Sequence, residues 1–183
     1  QMTNMIYPGS LTADSTGVVF HDGNYLYKLD RTNGHQLWQS STTVPVLNPW
    51  YTAFGISMIM YRDTVLMTDG SNNVYSVSST NGQVLAKWPH DKNSINNAPR
   101  DLFVVDDLVW STASVASNPV CKGYDRYTGT PIKTNDPGLK ITWIHQRCYR
   151  NKATVKYFVT SRCGTEFIDT QKSWGIYNDW TRG

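Results

Sequence analysis

The feature of the sequence that most constrains its fold is a pattern of short strands and tight turns that occurs four times. In the first copy, residues 18–38, strand-forming runs alternate with two turn signals, Asp-Gly-Asn at 22–24 and Asp-Arg-Thr-Asn-Gly at 30–34. The aspartate that opens the second turn can accept hydrogen bonds from backbone N–H groups further along the turn, and the asparagine and glycine that close it tolerate a positive φ. The copy ends at Trp38. Its strand-forming runs, separated by two turns, predict three antiparallel strands in about twenty residues.

The spacing of the copies predicts the blades of a β-propeller. The turn opens at Asp30, Ser78, Asp125 and Asp169, so successive copies are 48, 47 and 44 residues apart. A period of roughly 40–50 residues with several strands per unit is typical of propeller blades. We therefore predict one all-β segment, a partial propeller of about four antiparallel blades that span roughly residues 1–40, 41–90, 91–135 and 136–183. The positions expected to hold the repeat together are Asp30, Gly34, Trp38, Gly82, Trp88, Asp125, Gly129, Asp169 and Trp174.

The copies are not identical, and some residues have no place in the repeat. Lys133 stands near the place of the tryptophan in the third copy. The tryptophans that the repeat does not explain are Trp50, Trp110, Trp143 and Trp180. The apolar residues 5–7 are expected to form a lead-in strand ahead of the first copy.

Composition supports a strand-rich chain and excludes some partners. Glutamate occurs once, at Glu166, and alanine is sparse, whereas Thr, Ser, Asn, Tyr, Val and Trp are abundant. These proportions favour strands and turns over helices. The net charge is +3 with Lys and Arg dispersed along the chain, so no basic run indicates binding to nucleic acid or to a membrane surface. No apolar stretch is long enough to span a membrane.

The repeated pattern Leu-Tyr-x-Leu-Asp-x-x-(Thr/Asn)-Gly-x-x-x-Trp resembles the repeat of the pyrroloquinoline-quinone-type (PQQ-like) β-propellers. That family includes quinoprotein dehydrogenases and also non-enzymatic propellers, such as the outer-membrane barrel-assembly lipoproteins. The resemblance is close in the first two copies and partial in the others, and residues 145–154 with 160–162 resemble a stretch of uncharacterised bacterial propellers of this kind. It implies a fold and an extracytoplasmic location, but not an activity, because one fold hosts many functions.

The resemblance also implies that the chain is part of a larger ring. PQQ-like propellers resemble rings of seven or eight blades, so four blades make about half of one. An open arc leaves two exposed sheet edges, and we expect another protein chain or the missing blades to pair with one of them. A complete ring of four blades is the least favoured arrangement. Gln1 does not look like an initiator residue, so a processed or incomplete product is expected.

A dense cationic group near the C-terminus is the candidate binding site. The residues that form it, with the interleaved aromatics, are Arg147, Arg150, Lys152, Arg162, Trp143 and Tyr149. Guanidinium forks suit anions, so the group could bind a phosphate, a sulfate or a glycan uronate. In the alternative interpretation, these arginines tie loops to backbone carbonyls and to Asp169 or Glu166.

Histidine and cysteine give no clear metal site. Imidazole and thiolate are suitable ligands for zinc or copper, and His145 and Cys148 are the candidates. A His and a Cys three residues apart on a strand face opposite sides unless a bulge intervenes, so we predict a packed thiol and a hydrogen-bonded imidazole instead. Cys148 and Cys163 could meet across adjacent strands, and the family context would tolerate that disulfide, but pairing cannot be read from spacing alone. With Cys121, at least one of the three cysteines is left over.

No catalytic residue is predicted. Quinoprotein dehydrogenases stack the quinone PQQ on a tryptophan, hold Ca²⁺ with Glu, Asn and Asp oxygens, and often cover the ring with a disulfide of adjacent cysteines. This chain has no adjacent cysteines, and that set of ligands cannot be placed on it residue by residue. A Gly-x-Ser-x-Gly nucleophile elbow is also missing. We therefore predict a non-catalytic exported scaffold that binds a protein or glycan through loops between blades, and we keep part of a PQQ-dependent oxidoreductase as the alternative.

Overall fold

A computed structural model describes residues 6–7, 9–46, 56–69, 73–89, 101–111, 120–136, 151–160, 165–172 and 175–178. Within these residues the regular secondary structure consists of β-strands, which form four antiparallel sheets. The predicted fold class, an all-β partial propeller, is therefore confirmed. No helix in the described part of the chain has the length and apolar character needed to cross a membrane.

Each sheet has four strands, in which every strand pairs with the next one along the chain. Sheet 1 contains β1 (Leu11–Ala13), β2 (Gly17–His21), β3 (Leu26–Asp30) and β4 (Gln36–Gln39), and sheet 2 contains β5 (Met58–Tyr61), β6 (Thr64–Thr68), β7 (Asn73–Ser78) and β8 (Val84–Pro89). Sheet 3 contains β9 (Leu102–Val105), β10 (Leu108–Ser111), β11 (Cys121–Asp125) and β12 (Pro131–Asn135), and sheet 4 contains β13 (Lys152–Ala153), β14 (Tyr157–Thr160), β15 (Thr165–Asp169) and β16 (Gly175–Asn178).

The turn between the third and fourth strands forms as its residues predict. The Asp30 carboxylate accepts hydrogen bonds from the backbone N–H groups of Thr32 at 2.7 Å and Asn33 at 3.2 Å. The same bonds recur at Asp125 and Asp169. The closing glycines take a left-handed conformation, with φ of 73° at Gly34, 74° at Gly82 and 68° at Gly129. Only glycine adopts this conformation without strain, which explains the residue at this position.

The start of the chain differs from the prediction. We expected a lead-in strand at residues 5–7, but Ile6 and Tyr7 are not in a strand, and the first strand is Leu11–Ala13. The backbone N–H of Tyr7 instead donates to the carbonyl of His21 at 2.7 Å, and Ser10 bonds both segments through its hydroxyl. Ile6 and Tyr7 are thus held against sheet 1 by a single backbone hydrogen bond. One such bond is not enough to add a strand to the sheet.

The core of the molecule lies between successive sheets. Sheet 1 and sheet 2 enclose a buried apolar cluster around Val19, Leu26 and Val65, and a second cluster around Leu66 and Val109 separates sheet 2 from sheet 3. A third cluster, which includes Trp110 and Phe158, lies between sheet 3 and sheet 4. We call these contacts the first, second and third joints. Because each inner sheet is apolar on both faces, its strands read as continuous apolar runs rather than alternating ones.

Candidate functional site

Most of the predicted binding residues lie outside the described part of the chain. These are Arg147, Arg150, Arg162, Trp143 and Tyr149 of the cationic group, the metal candidates His145 and Cys148, the cysteine Cys163 and the repeat position Trp174. Lys152 is described, and it is an exposed residue at the start of β13. Cys121 is buried in β11. The anion site and the disulfide therefore stay predictions.

The first joint is made by an indole that packs on a glycine. Trp38, on the last strand of sheet 1, is buried, and its Nε1–H donates to the carbonyl of Ser79 in sheet 2 at 2.9 Å. A Cβ atom placed on Gly82 would lie 2.8 Å from Cε3 of that indole and 2.7 Å from the carbonyl oxygen of Gln39. Both distances are shorter than a normal contact, so only glycine allows the indole to dock here.

The second joint repeats this arrangement between sheet 2 and sheet 3. Trp88 is buried at the end of sheet 2, and a Cβ atom on Gly129 would lie 2.6 Å from Cε3 of its ring. The Trp88 ring also packs against Tyr124, with ring centroids 5.8 Å apart. Trp38, Gly82, Trp88 and Gly129 were all expected to hold the repeat together, and the structure brings them into two equivalent pairs.

The third joint uses hydrogen bonds in place of the docked indole. The Lys133 ammonium donates to the carbonyl of Thr170 at 3.0 Å, and the Asn135 amide donates to the carbonyls of Asp169 at 3.0 Å and Thr170 at 2.9 Å. Trp110, which the repeat left unexplained, fills the core of this joint, 5.2 Å from the Phe158 ring. The departure of the third copy from the pattern at Lys133 is therefore a change in how two sheets are joined.

A buried lysine strengthens the first joint. Lys28 is only 4% exposed, and its ammonium bonds the Asp14 carboxylate at 2.9 Å and the carbonyl of Ser79 in sheet 2 at 3.2 Å. Burial raises the pKa of Asp14, but hydrogen bonds from Thr16 and Lys28 outweigh it and hold that pKa far below its usual range. The lysine is therefore a structural ion-pair partner that ties the two sheets together.

A second polar contact joins the turns of sheets 2 and 3. The Arg126 side chain is almost fully buried, and it donates a hydrogen bond to the Asp63 carboxylate and lies 3.3 Å from a carboxylate oxygen of Asp107. Its guanidinium carbon is 4.1 Å from the Tyr127 ring centroid and 5.7 Å from that of Tyr61. The hydrogen bond from Arg126 is the main cause of a lowered pKa at Asp63. This contact binds one sheet to the next rather than presenting a charge to a ligand.

The side of sheet 1 that faces away from sheet 2, which we call its open face, carries an apolar cavity. Its volume is about 520 Å³, and it is lined by Ile6, Leu11, Val18, Phe20, Leu29, Asp30, Arg31 and Gly34. Leu11 is 63% exposed and Ile6 is 53% exposed. Gly34 has the same backbone conformation as Gly82, but within the described residues no atom lies within 4 Å of a Cβ placed on it. Within the described residues, the open face thus has a glycine equivalent to Gly82 with no indole packed on it.

The tryptophans in the described part of the chain take part in the joints between sheets. Trp38, Trp88 and Trp110 are each buried against the next sheet, so they offer no free ring face for a planar cofactor. Glu166 is fully buried on β15. Within the same residues no three or more His, Cys, Asp or Glu side chains are grouped to hold a metal ion.

Comparisons with known proteins identify the repeat. The family described as "Outer membrane protein assembly factor BamB" matches residues 9–130. Among solved structures, BamB from Moraxella catarrhalis has a TM-score of 0.59 at 9% identity and covers 98% of this chain and 51% of that one. A europium-containing methanol dehydrogenase has a TM-score of 0.52 at 19% identity and covers 70% and 24%. The computationally designed Ika4 protein has a TM-score of 0.53 at 15% identity and covers 90% and 88%.

These likenesses show a shared fold at low sequence identity. The chain spans about half the length of the BamB chain and about a quarter of the dehydrogenase. No curated protein sequence matches the chain.

Proposed function

The chain belongs to the family described as outer membrane protein assembly factor BamB, and from this premise we propose that it is a non-catalytic propeller scaffold that binds another protein chain. The observation that carries the proposal is the open face of sheet 1, where an apolar cavity lies beside the exposed side chains of Ile6 and Leu11. Contiguous exposed apolar surface on a folded chain is characteristic of a protein contact.

The rest of the described polar surface supports a scaffold more than a reaction centre. Lys28 and Arg126 are buried charges, and each is paired across a joint between two sheets. Buried charges are found at catalytic sites, but they are also found in structural ion-pair networks, and the partners here are structural. The proposal therefore assigns these residues to rigidity and needs no cofactor.

We place the scaffold outside the cytoplasm, because the matched family is described by its role at the outer membrane. The sequence favours loops between blades for binding, and residues 90–100, which it predicts to be one such loop, lie outside the described residues. The proposal accordingly rests on the open face of sheet 1. Fractionation of the cells that make the protein should recover it with the extracytoplasmic fraction, and recovery with the cytoplasm would contradict the location.

The experiment that tests the proposal is site-specific photo-cross-linking. A photoreactive amino acid at position 11 lies on the open face, and one at position 132 serves as a control, because Leu11 and Ile132 are 63% and 62% exposed. The expected result is a protein adduct at position 11, identified by mass spectrometry, and none at position 132. Absence of any protein adduct at position 11 in the cells that make the chain would overturn the proposal.

The alternative function, which the sequence analysis left open, is that the chain is part of a quinoprotein-like oxidoreductase. It requires the chain to bind the quinone with Ca²⁺, a hard cation that takes several oxygen ligands. Titration of the chain with PQQ and Ca²⁺ should leave the absorbance of the free quinone unchanged if the scaffold proposal is correct. A saturable spectral change with a fixed stoichiometry would favour the oxidoreductase instead.

A further inference from the structure

We propose that the outer face of sheet 4, by which we mean the side that faces away from sheet 3, binds a partner protein that presents carboxylates beside apolar side chains. This contact goes beyond the proposed function, because it lies on a different sheet from the open face. Three observations carry it: a half-buried aromatic pair, an exposed valine on an ordered turn, and a lysine where the preceding sheets have a carboxylate.

Strand register defines the outer face. Phe158 pairs with Ile168, and both are buried in the third joint. Because side chains alternate between the two sides of a strand, Tyr157, Val159 and Phe167 point to the outer face. All three are only half-buried, and the rings of Tyr157 and Phe167 meet edge to face with their centroids 6.1 Å apart. Apolar surface therefore stays in contact with solvent here, unlike on the faces of sheet 2.

An exposed apolar side chain stands at the end of sheet 4 on an ordered turn. Val155, between β13 and β14, is 85% exposed. Its carbonyl accepts a hydrogen bond from the Thr170 hydroxyl at 3.0 Å, and the carbonyl of Lys156 accepts one from the Thr170 N–H at 2.9 Å. Because these bonds hold the turn in place, a partner that covers Val155 has little backbone freedom to remove.

In sheets 2 and 3 the same turn reaches the following sheet through a carboxylate. Asp63, in the turn between β5 and β6, accepts a hydrogen bond from Arg126 of sheet 3. Asp106, in the turn between β9 and β10, accepts one from Gln171 of sheet 4. This turn is therefore a place where one sheet makes polar contact with the next, through an acceptor on the turn and a donor on its neighbour.

Sheet 4 has a cationic turn instead. Strand register places Val155 where sheet 3 has Asp106, and Lys156 where sheet 2 has Asp63. Lys152, at the start of β13, is exposed as well. Among the described residues, neither of these lysines forms an ion pair. At the outer face of sheet 4 the turn thus supplies the donor, and the partner has to supply the acceptor.

Charge complementarity therefore selects an acidic partner. A sheet with an arginine at the place of Arg126, such as sheet 1 with Arg31, would set two cations against each other. Asp169 lies near Lys156 and Lys172 and offsets one of their charges. With the other exposed lysine, the face keeps a net positive charge around its aromatic pair. Carboxylates beside apolar side chains match this surface in both charge and polarity.

The test is photo-cross-linking from position 155 in the cells that make the chain. The expected result is an adduct with another protein, whose linked peptide contains Asp or Glu. Lys156→Glu should lower the yield about tenfold, because it sets like charges against each other. Lys87→Glu should leave the yield unchanged. Lys87 is the matched control, since it is also exposed and its ammonium lies 5.2 Å from the ring centroid of Tyr75.

A charge exchange identifies the contact. Replacement of the acidic residue of the linked peptide by lysine, in the partner, should restore the adduct of the Lys156→Glu chain. Failure to restore it, an equal loss in both lysine variants, or no protein adduct at position 155 would overturn the proposal. An adduct with lipid would overturn it in favour of a membrane surface, and a link to a peptide of this same sequence would overturn it in favour of a contact within or between copies of the chain.

Two further points keep the test decisive. If circular dichroism shows that Lys156→Glu does not fold, Lys156→Gln takes its place, because it removes the charge without reversing it and should lower the yield in the same direction. The adduct from position 11 reports on the open face of sheet 1. Its loss would overturn the proposed function, whereas loss of the adduct at position 155 alone would overturn only this inference.

Discussion

Gly82 carries two constraints at once, since its φ is 74° and its α-carbon lies directly under the Trp38 indole. The first constraint is local and would apply to any closing residue of this turn, whereas the second exists only where a sheet is docked. Gly23 also has a positive φ, of 106°, but nothing lies within 4 Å of a Cβ placed on it. The two glycines therefore separate backbone strain from steric overlap.

The expected result of Gly82→Ala is a loss of about 3 kcal/mol in the free energy of unfolding, because left-handed strain adds to overlap with the indole. Gly23→Ala should cost about 1–2 kcal/mol, from strain alone. Urea denaturation of the two variants measures the difference. Equal losses would show that the indole does not press on Gly82.

His21 predicts a pH dependence of stability. Its ring is buried, Nε2–H donates to the carbonyl of Val44 at 2.7 Å, and Nδ1 accepts from the N–H of Gly23 at 2.8 Å. Burial lowers the pKa of His21, so the unfolded chain binds a proton at about pH 6.5 while the folded chain does not. Stability should therefore fall as the pH drops from that value toward the lower pKa of the folded state.

Urea denaturation at pH 7.5 and pH 5.5 measures this effect. His21→Gln is the control, since it removes the titrating group, and its stability should change less between the two pH values than that of the wild type. An equal change in both proteins would show that His21 is not the source.

Single residues were predictable where their partners lie nearby in sequence. The turn of Asp30, Gly34 and Trp38 could be read from the sequence, because the bonds of Asp30 reach only two or three residues along the chain. Lys28 and Arg126 could not, because Lys28 bonds a residue 51 positions away and Arg126 one 63 positions away. Local patterns contain no information on which distant turn a charged side chain will meet.

At the scale of elements, the contact between turns of sheets 2 and 3 should depend on a buried guanidinium. Arg126→Met keeps most of the side-chain volume but removes the bond to Asp63, and we expect it to cost about 1–2 kcal/mol of unfolding free energy. The matched control is Arg62→Met, which removes an exposed arginine 3.3 Å from Asp107 and should cost less than about 0.5 kcal/mol.

A double-mutant cycle of Arg126→Met with Asp63→Asn isolates the pair. Because half of the Asp63 side chain is exposed, solvent screens the ion pair, and the coupling energy should be about 1 kcal/mol. A coupling energy near zero would mean that stacking on Tyr127, rather than the ion pair, holds Arg126 in place.

At the scale of the whole molecule, the contacts between sheets that the described residues make run between neighbouring sheets, so damage should stay local. Trp38→Ala should raise the rate of amide hydrogen exchange in sheets 1 and 2 and leave sheets 3 and 4 protected, because each joint has its own buried cluster. Trp110→Ala should have the reverse pattern. Uniform loss of protection in either variant would show that the four sheets unfold as one unit.

The overall architecture was predictable because it is periodic. Turn positions 44–48 residues apart were enough to predict propeller blades, since each copy can bury its apolar faces only against a neighbour. The sequence predicted that the arc is open, but it did not show which residues of sheet 1 line its uncovered side, because Leu11 and Val18 have the same apolar character as Met58 and Val65. Whether a face is covered depends on what packs there, which the pattern of one sheet does not determine.

The replacement of an indole by Lys133 and Asn135 at the third joint gives the arc a gradient in its response to temperature. Burial of apolar surface weakens on cooling, because it is the main source of the heat-capacity change of unfolding. The first joint, with the largest buried apolar cluster, should be the most sensitive to cold, and the third, fastened by bonds to the carbonyls of Asp169 and Thr170, the least. On cooling, the third joint, between sheets 3 and 4, should therefore lose the least stability of the three.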